Sequence, residues 1–291
     1  MFYELIQIVA PVFICTAIGY GWVRIGLPSD TTLASSLVLY IGTPCLVFHT
    51  LTSIGLDPVV FVELALAALM LVVGAVAVSW AFLAIFKLSQ QSFLTALSMP
   101  NMGNIGLPLA LFAFGEKGLA LAIAIFAILA ITQFTLGLGI TAGSMTFKVA
   151  ISQPIIYSVT LAIIFIVWDL QSPNWVAETT KILGGIAIPV LLITLGIALG
   201  QIKESSLKRS VPLSIFRLAS GFGIGVLVAE LLGLEGVARG VVILQSTMPV
   251  AVFSYLFALT YNRNPDNVAS LTMVSTLLSF ATLPALLWYI L

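Results

Sequence analysis

The chain has 291 residues, 60% of them hydrophobic and only 8% charged, with a mean hydropathy of +1.19 and a formal net charge of zero. A soluble domain carries roughly 25% charged residues, so this composition excludes one and specifies an integral membrane protein. The neutral balance gives no electrostatic basis for a nucleic-acid or acidic-protein partner.

A helix needs about 20 mostly apolar residues to cross the hydrocarbon core. Between polar breaks, ten such spans are predicted, at 2–23, 31–53, 59–86, 91–114, 118–143, 154–170, 177–200, 212–233, 237–261 and 267–290. The first, MFYELIQIVAPVFICTAIGYGWVR, lacks the basic leader and small-residue cleavage site of a signal peptide and reads as a retained helix. Cys15 and Cys45 lie inside apolar runs and read as small hydrophobes. Basic residues near span ends stay on the cytoplasmic side. With both termini outside, Arg24, Lys87, Lys148, Lys203, Lys208, Arg209 and Arg263 face the cytoplasm, against Lys117, Lys181 and Arg239 outside. Arg217, inside the eighth span near its inner end, is expected to snorkel to the interface.

The chain repeats itself at half its length. GTPCLVFHTL in the second span matches AIPVLLITL in the seventh, placing Pro44 and Pro189 145 residues apart (189 − 44). ALSMPNM in the fourth matches QSTMPVA in the ninth, placing Pro100 and Pro249 149 residues apart (249 − 100). Five spans per half is an odd number, so the halves must be inverted in the membrane. The expected fold is an all-α membrane protein of two inverted five-helix repeats, 1–143 and 154–291, joined by a cytoplasmic linker over 144–153.

Proline inside a helix removes a donor and clashes with the preceding turn. Within lipid such a break survives only where protein or a water-filled cavity shields it. Pro100 and Pro249 are therefore expected to face inward and cross at mid-membrane. Each break creates a new helix N-terminus with about half a positive charge, suited to an anion, and a new C-terminus suited to a cation. Asn101 and Asn104 flank the first break; Gln245, Ser246, Thr247 and Val250 flank the second, with Val250 in the slot equivalent to Asn101. Thr43 beside Pro44 and Gln133, next to Thr132 in the fifth span, are further candidates to reach the crossing. Glycines four apart, Gly139 and Gly143, Gly196 and Gly200, Gly221 and Gly225, read as close helix packing. Ionisable groups within spans are functional candidates, and Glu63 and His49 are the two to consider for ion coupling. No acid lies at the centre of a span, which argues against a carboxylate-ligated sodium site, and no metal site is expected.

MPNMGNIGLPLALFAFG, GTPCLVF and STMPVAVFSYLFALTYNRNPDNVASLTMVSTLLSFATLP resemble the auxin efflux carrier family in its short bacterial form, over essentially the whole chain. The resemblance implies broken fourth and ninth helices crossing in a fold similar to bile acid sodium symporters, transport of organic anions by an elevator-like motion, and residence in the bacterial inner (plasma) membrane. It also implies that Asn101, matching the asparagine after the fourth-helix proline of plant members, contacts the substrate carboxylate. Two positions depart from the plant pattern: Val250 stands where a polar residue follows the second proline, and Ala67 stands where a base follows the acid matched by Glu63.

The expected function is a secondary active or facilitative transporter of a small organic anion, a mono- or dicarboxylate, by alternating access. A sodium-coupled symporter of the bile acid type and a ligand sensor on a transporter fold are the alternatives. An intramembrane enzyme would need a nucleophile with a base, or paired acids, inside the bilayer, and the chain offers one histidine. No cofactor is expected, with Na+ or H+ coupling left open. The partners are the anion and the lipid bilayer, with a homodimer left open.

Overall fold

Apolar runs too long for a soluble core become helices throughout the computed structural model, which describes residues 2–54, 57–144, 153–168, 170–201 and 207–291. Lys148, Lys203 and most of the predicted 144–153 linker lie outside the described residues. Helix α1 spans Phe2–Arg24; α2 (Thr32–Leu37) runs through a π-helical turn at Val38–Gly42 into α3 (Thr43–Ile54). Helices α4 (Pro58–Ile85) and α5 (Gln90–Ser98) follow, then a π-turn at Met102–Gly106 and α6 (Leu107–Thr132). A π-turn at Gln133–Gly137 leads into α7 (Leu138–Ala142). The second half contains α8 (Pro154–Val167), α9 (Asn174–Gly185), α10 (Ala187–Gln201), α11 (Leu207–Leu231), α12 (Gly236–Ser246), α13 (Val252–Thr260) and α14 (Pro265–Ile290).

Local chemistry sets the helix starts and stops. Asp57 accepts a hydrogen bond from the Val59 N–H at 2.8 Å, with Pro58 at the first helical position where no donor is needed. Ser89 accepts from the Ser92 N–H at 3.3 Å to start α5. Pro154 and Pro265 open α8 and α14, and Gly143 closes α7 at a φ of 79°.

Among the described residues, seven helical stretches are long and apolar enough to cross a membrane, which makes this a multi-pass membrane protein. One of them, Met102–Ala142, has 41 residues. At 1.5 Å per residue it would measure about 60 Å, twice the ~30 Å hydrocarbon thickness. The chain turns sharply at Gly115 instead, where φ is 66° and ψ is −162°. Just beyond the turn, a Cβ placed on Gly118 would meet the Ala110 carbonyl oxygen at 2.7 Å, an approach that an unbroken helix could not make.

Lipid tails are as apolar as leucine, so helices in a bilayer are held by close packing and polar contacts rather than by escape from water. Two groups result. In one, α1 packs along α10, and Gly196 lies so close to the Thr16 carbonyl that no Cβ fits; α3 packs along α8. In the other, α4 packs with α5 and α6, and α11 with α12 and α14. A continuous apolar core that includes Val47, Leu64, Leu129, Leu195 and Leu287 joins them.

Candidate functional site at two paired helix breaks

The chain leaves helical geometry between α5 and Met102, and again between α12 and α13. The two breaks lie side by side as an antiparallel pair centred on Pro100 and Val250. The Asn101 N–H donates to the Pro249 carbonyl at 2.8 Å, and the Ala251 N–H to the Met99 carbonyl at 3.3 Å. The Met99 N–H reaches Thr95 at 3.0 Å, the Met102 N–H reaches Pro100 at 2.9 Å, and the Met248 N–H reaches Gln245 at 3.4 Å. The Val250 N–H donates to the Ser275 Oγ at 3.1 Å. Every N–H from Met99 to Met102 and from Met248 to Ala251 is thus paired, because Pro100 and Pro249 have none to offer. That closes the accounting that a buried backbone demands.

A cavity of about 330 Å³ adjoins the paired breaks, within the range of small-molecule sites. Thr43, Pro100, Asn101, Asn104 and Gln133 all line it, so residues far apart in sequence meet here. The second break contributes Ala251, Val252, Phe253 and Tyr255. Among the described residues, none that lines it is charged. The Asn101 Oδ1 accepts from the Asn104 N–H at 3.3 Å, capping the helical segment that begins at Met102. Its Nδ2 is buried with no protein hydrogen-bond partner, and so is the Nε2 of Gln133. An unpaired buried amide costs about 1–3 kcal/mol, so both are donors in need of an acceptor. Ala251 precedes α13 without any side-chain cap, leaving the first amides of that helix available as well.

The other predicted residues lie elsewhere. Val250 is fully buried in a cluster with Leu83, Phe93 and Leu97 and does not line the cavity. Gln245 is buried against Gly106, and the Thr247 hydroxyl donates to the Ile243 carbonyl at 2.6 Å. His49 is partly buried on α3, with its Nδ1 3.4 Å from the Ser53 Oγ, and Glu63 is exposed on α4. Neither lines the cavity.

Arg217 requires a correction. It does not snorkel: only 1% of it is exposed, and its Nη2 donates to the carbonyl of Ser246, the last residue of α12, at 2.9 Å. A second, much smaller cavity brings Arg217 together with Pro100, Ser246 and Ser98, the last residue of α5. The signal was present in the sequence. Gly221 and Gly225 follow Arg217 at successive fours on one helix face, and both press against Ser246. The aromatic lining from Phe126, Phe134, Phe253 and Tyr255 was also missed, since phenylalanine in a lipid-facing span carries no distinguishing mark.

Comparison with known proteins follows the same lines. The family model described as membrane transport protein matches residues 5–146 and 140–289. An uncharacterized transporter of Methanothermobacter thermautotrophicus is 26% identical over 97% of this chain and 96% of its own length. An uncharacterized transporter of Methanocaldococcus jannaschii is 24% identical over 97% of each chain. Auxin efflux carrier component 1 of Arabidopsis thaliana is 25% identical over 50% of this chain and 24% of its own. With both halves matched and the polar residues of the first half gathered at the paired breaks, the chain belongs to the membrane transport protein family that includes the auxin efflux carriers.

Proposed function

We propose that this protein carries small organic anions across the bacterial inner membrane, binding a single carboxylate at the paired breaks and alternating access around them by an elevator-like motion. The observation that carries this reading is that two residues with buried, unpaired amide donors, Asn101 Nδ2 and Gln133 Nε2, and an uncapped helix start border one cavity whose described lining is uncharged. A carboxylate satisfies those donors. Helix N-termini favour an anion by about 0.3–2 kcal/mol, and a charge-assisted hydrogen bond contributes about 1.5–3 kcal/mol. Beyond that polar end, Phe126, Phe134, Phe253 and Tyr255 favour an apolar body. A monocarboxylate fits this distribution better than a dicarboxylate, whose second charge would meet no donor set of its own.

Ten spans in two inverted repeats, 1–143 and 154–291, are the architecture in which this site works. The 41-residue stretch turning at Gly115 counts as two crossings; α8 and the broken α12–α13 pair supply two more than the seven long stretches. The break pairing supports the inversion. Exchanging the halves by the repeat offset of 149, forward for Pro100 (100 + 149 = 249) and back for Val250 (250 − 149 = 101), turns the pair Pro100·Val250 into Pro249·Asn101, which is itself hydrogen-bonded. The helix contacts follow the same exchange: α1 on α10 answers α8 on α3, and α4 on α6 answers α11 on α14. With both termini outside, the cavity reaches the cytoplasmic helix ends at Thr31 and Gln201.

Counterflow in proteoliposomes with labelled mono- and dicarboxylates tests the proposal. Trans-stimulated exchange of monocarboxylates supports it; binding without any exchange would favour a sensor built on the same fold.

A further inference from the structure

We propose that Arg217 is a built-in counter-cation that occupies the place where a coupling cation would bind, so that transport proceeds without sodium. This rests on the carrier reading above.

The argument begins with charge. Helices α5 and α12 end at Ser98 and Ser246, and both ends converge on Arg217. Each helix C-terminus carries about half a negative charge; the two together match one guanidinium. Among the described residues no carboxylate pairs with Arg217, and its Nε has no hydrogen-bond partner. A buried cation without a carboxylate is costly unless something else balances it. Here the balance comes from backbone, through the 2.9 Å bond from Nη2 to the Ser246 carbonyl. The serine hydroxyls do not take the Ser246 carbonyl from Arg217, since the Ser98 Oγ donates to the Leu94 carbonyl at 2.7 Å and the Ser246 Oγ to the Ile243 carbonyl at 3.0 Å.

Space leads to the same conclusion. A Cβ on Gly221 would come within 2.9 Å of the Arg217 Nη1, and Gly225 lies directly against the Ser246 hydroxyl. The face of α11 is pared down so that a guanidinium fits against the crossing with little room to spare. Paired helix C-termini would otherwise attract a small cation. With Arg217 fixed there, a sodium ion would meet a like charge, and the Ser246 carbonyl would already be engaged. The arginine adjoins Pro100 and Met102, which also border the large cavity, so its charge lies next to the proposed anion site without lining it.

The test combines counterflow with thermal stability, each in sodium chloride and in choline chloride, for the wild type, Arg217→Lys and Arg217→Gln. Wild type and Arg217→Lys should be indifferent to sodium in both measurements. Arg217→Gln should exchange substrate about tenfold more slowly, melt lower, and recover stability in sodium but not in choline as the freed helix ends take up the ion. Sodium-dependent exchange or sodium stabilisation of the wild type would overturn the proposal. So would an Arg217→Gln protein that matches the wild type throughout, or one that is destabilised yet deaf to sodium, which would mark a packing role alone. If Arg217→Gln does not fold, the wild-type and Arg217→Lys arms decide. If no carboxylate is exchanged by any form, the carrier reading fails, and the stability arm still tests Arg217.

Discussion

The two helix breaks share a backbone and differ in side chains. Around the first, Asn101 and Asn104 line the cavity and Asn101 keeps a free donor. Around the second, Val250 is buried elsewhere, while Ala251, Val252, Phe253 and Tyr255 line the same space. In the proposed carrier, one break would meet the polar end of the anion and the other its apolar body. Under the proposed repeat, the two halves would keep the geometry that pairs the breaks while dividing the chemistry between them.

Substitutions test that division. Asn101→Ala removes both a donor and the cap on Asn104, and should slow carboxylate exchange on the order of 100-fold in counterflow. Gln133→Leu removes only the second donor, and about a tenfold rise in half-saturating substrate concentration is expected from concentration series. Val250→Asn asks whether the second break can be made to resemble the first. Because Val250 packs against Leu83 and Phe93 rather than the cavity, the new amide would be buried without a partner. It should lower stability by about 1–3 kcal/mol in thermal unfolding and leave the affinity of the folded fraction unchanged; tighter binding would mean that Val250 faces the site. Glu63→Gln should have the smallest effect, within about twofold on exchange, since the carboxylate is exposed on α4 and away from both cavities.

Proline made the breaks legible in the sequence, because its missing donor disrupts a helix whatever surrounds it. Pro100 and Pro249 therefore mark the paired breaks, and Asn101, Asn104, Thr43 and Gln133, candidates on sequence grounds, share one cavity. Which way the neighbouring side chains point was much less legible. Successive residues of an extended segment face opposite sides, so Ala251 enters the cavity while Val250, one position earlier, leaves it. Arg217 was misread for a different reason. Its position suggested access to the interface, but its burial is set by Ser246, 29 residues away in the chain.

The most direct test of the shared site is equilibrium binding of a labelled monocarboxylate to the purified wild type and to Asn101→Asp. Aspartate retains an oxygen to cap the Asn104 N–H but replaces the Nδ2 donor with negative charge. The account predicts that the variant folds and melts close to the wild type while its affinity falls by at least about 100-fold. A folded Asn101→Asp protein that binds the anion as tightly as the wild type would contradict it.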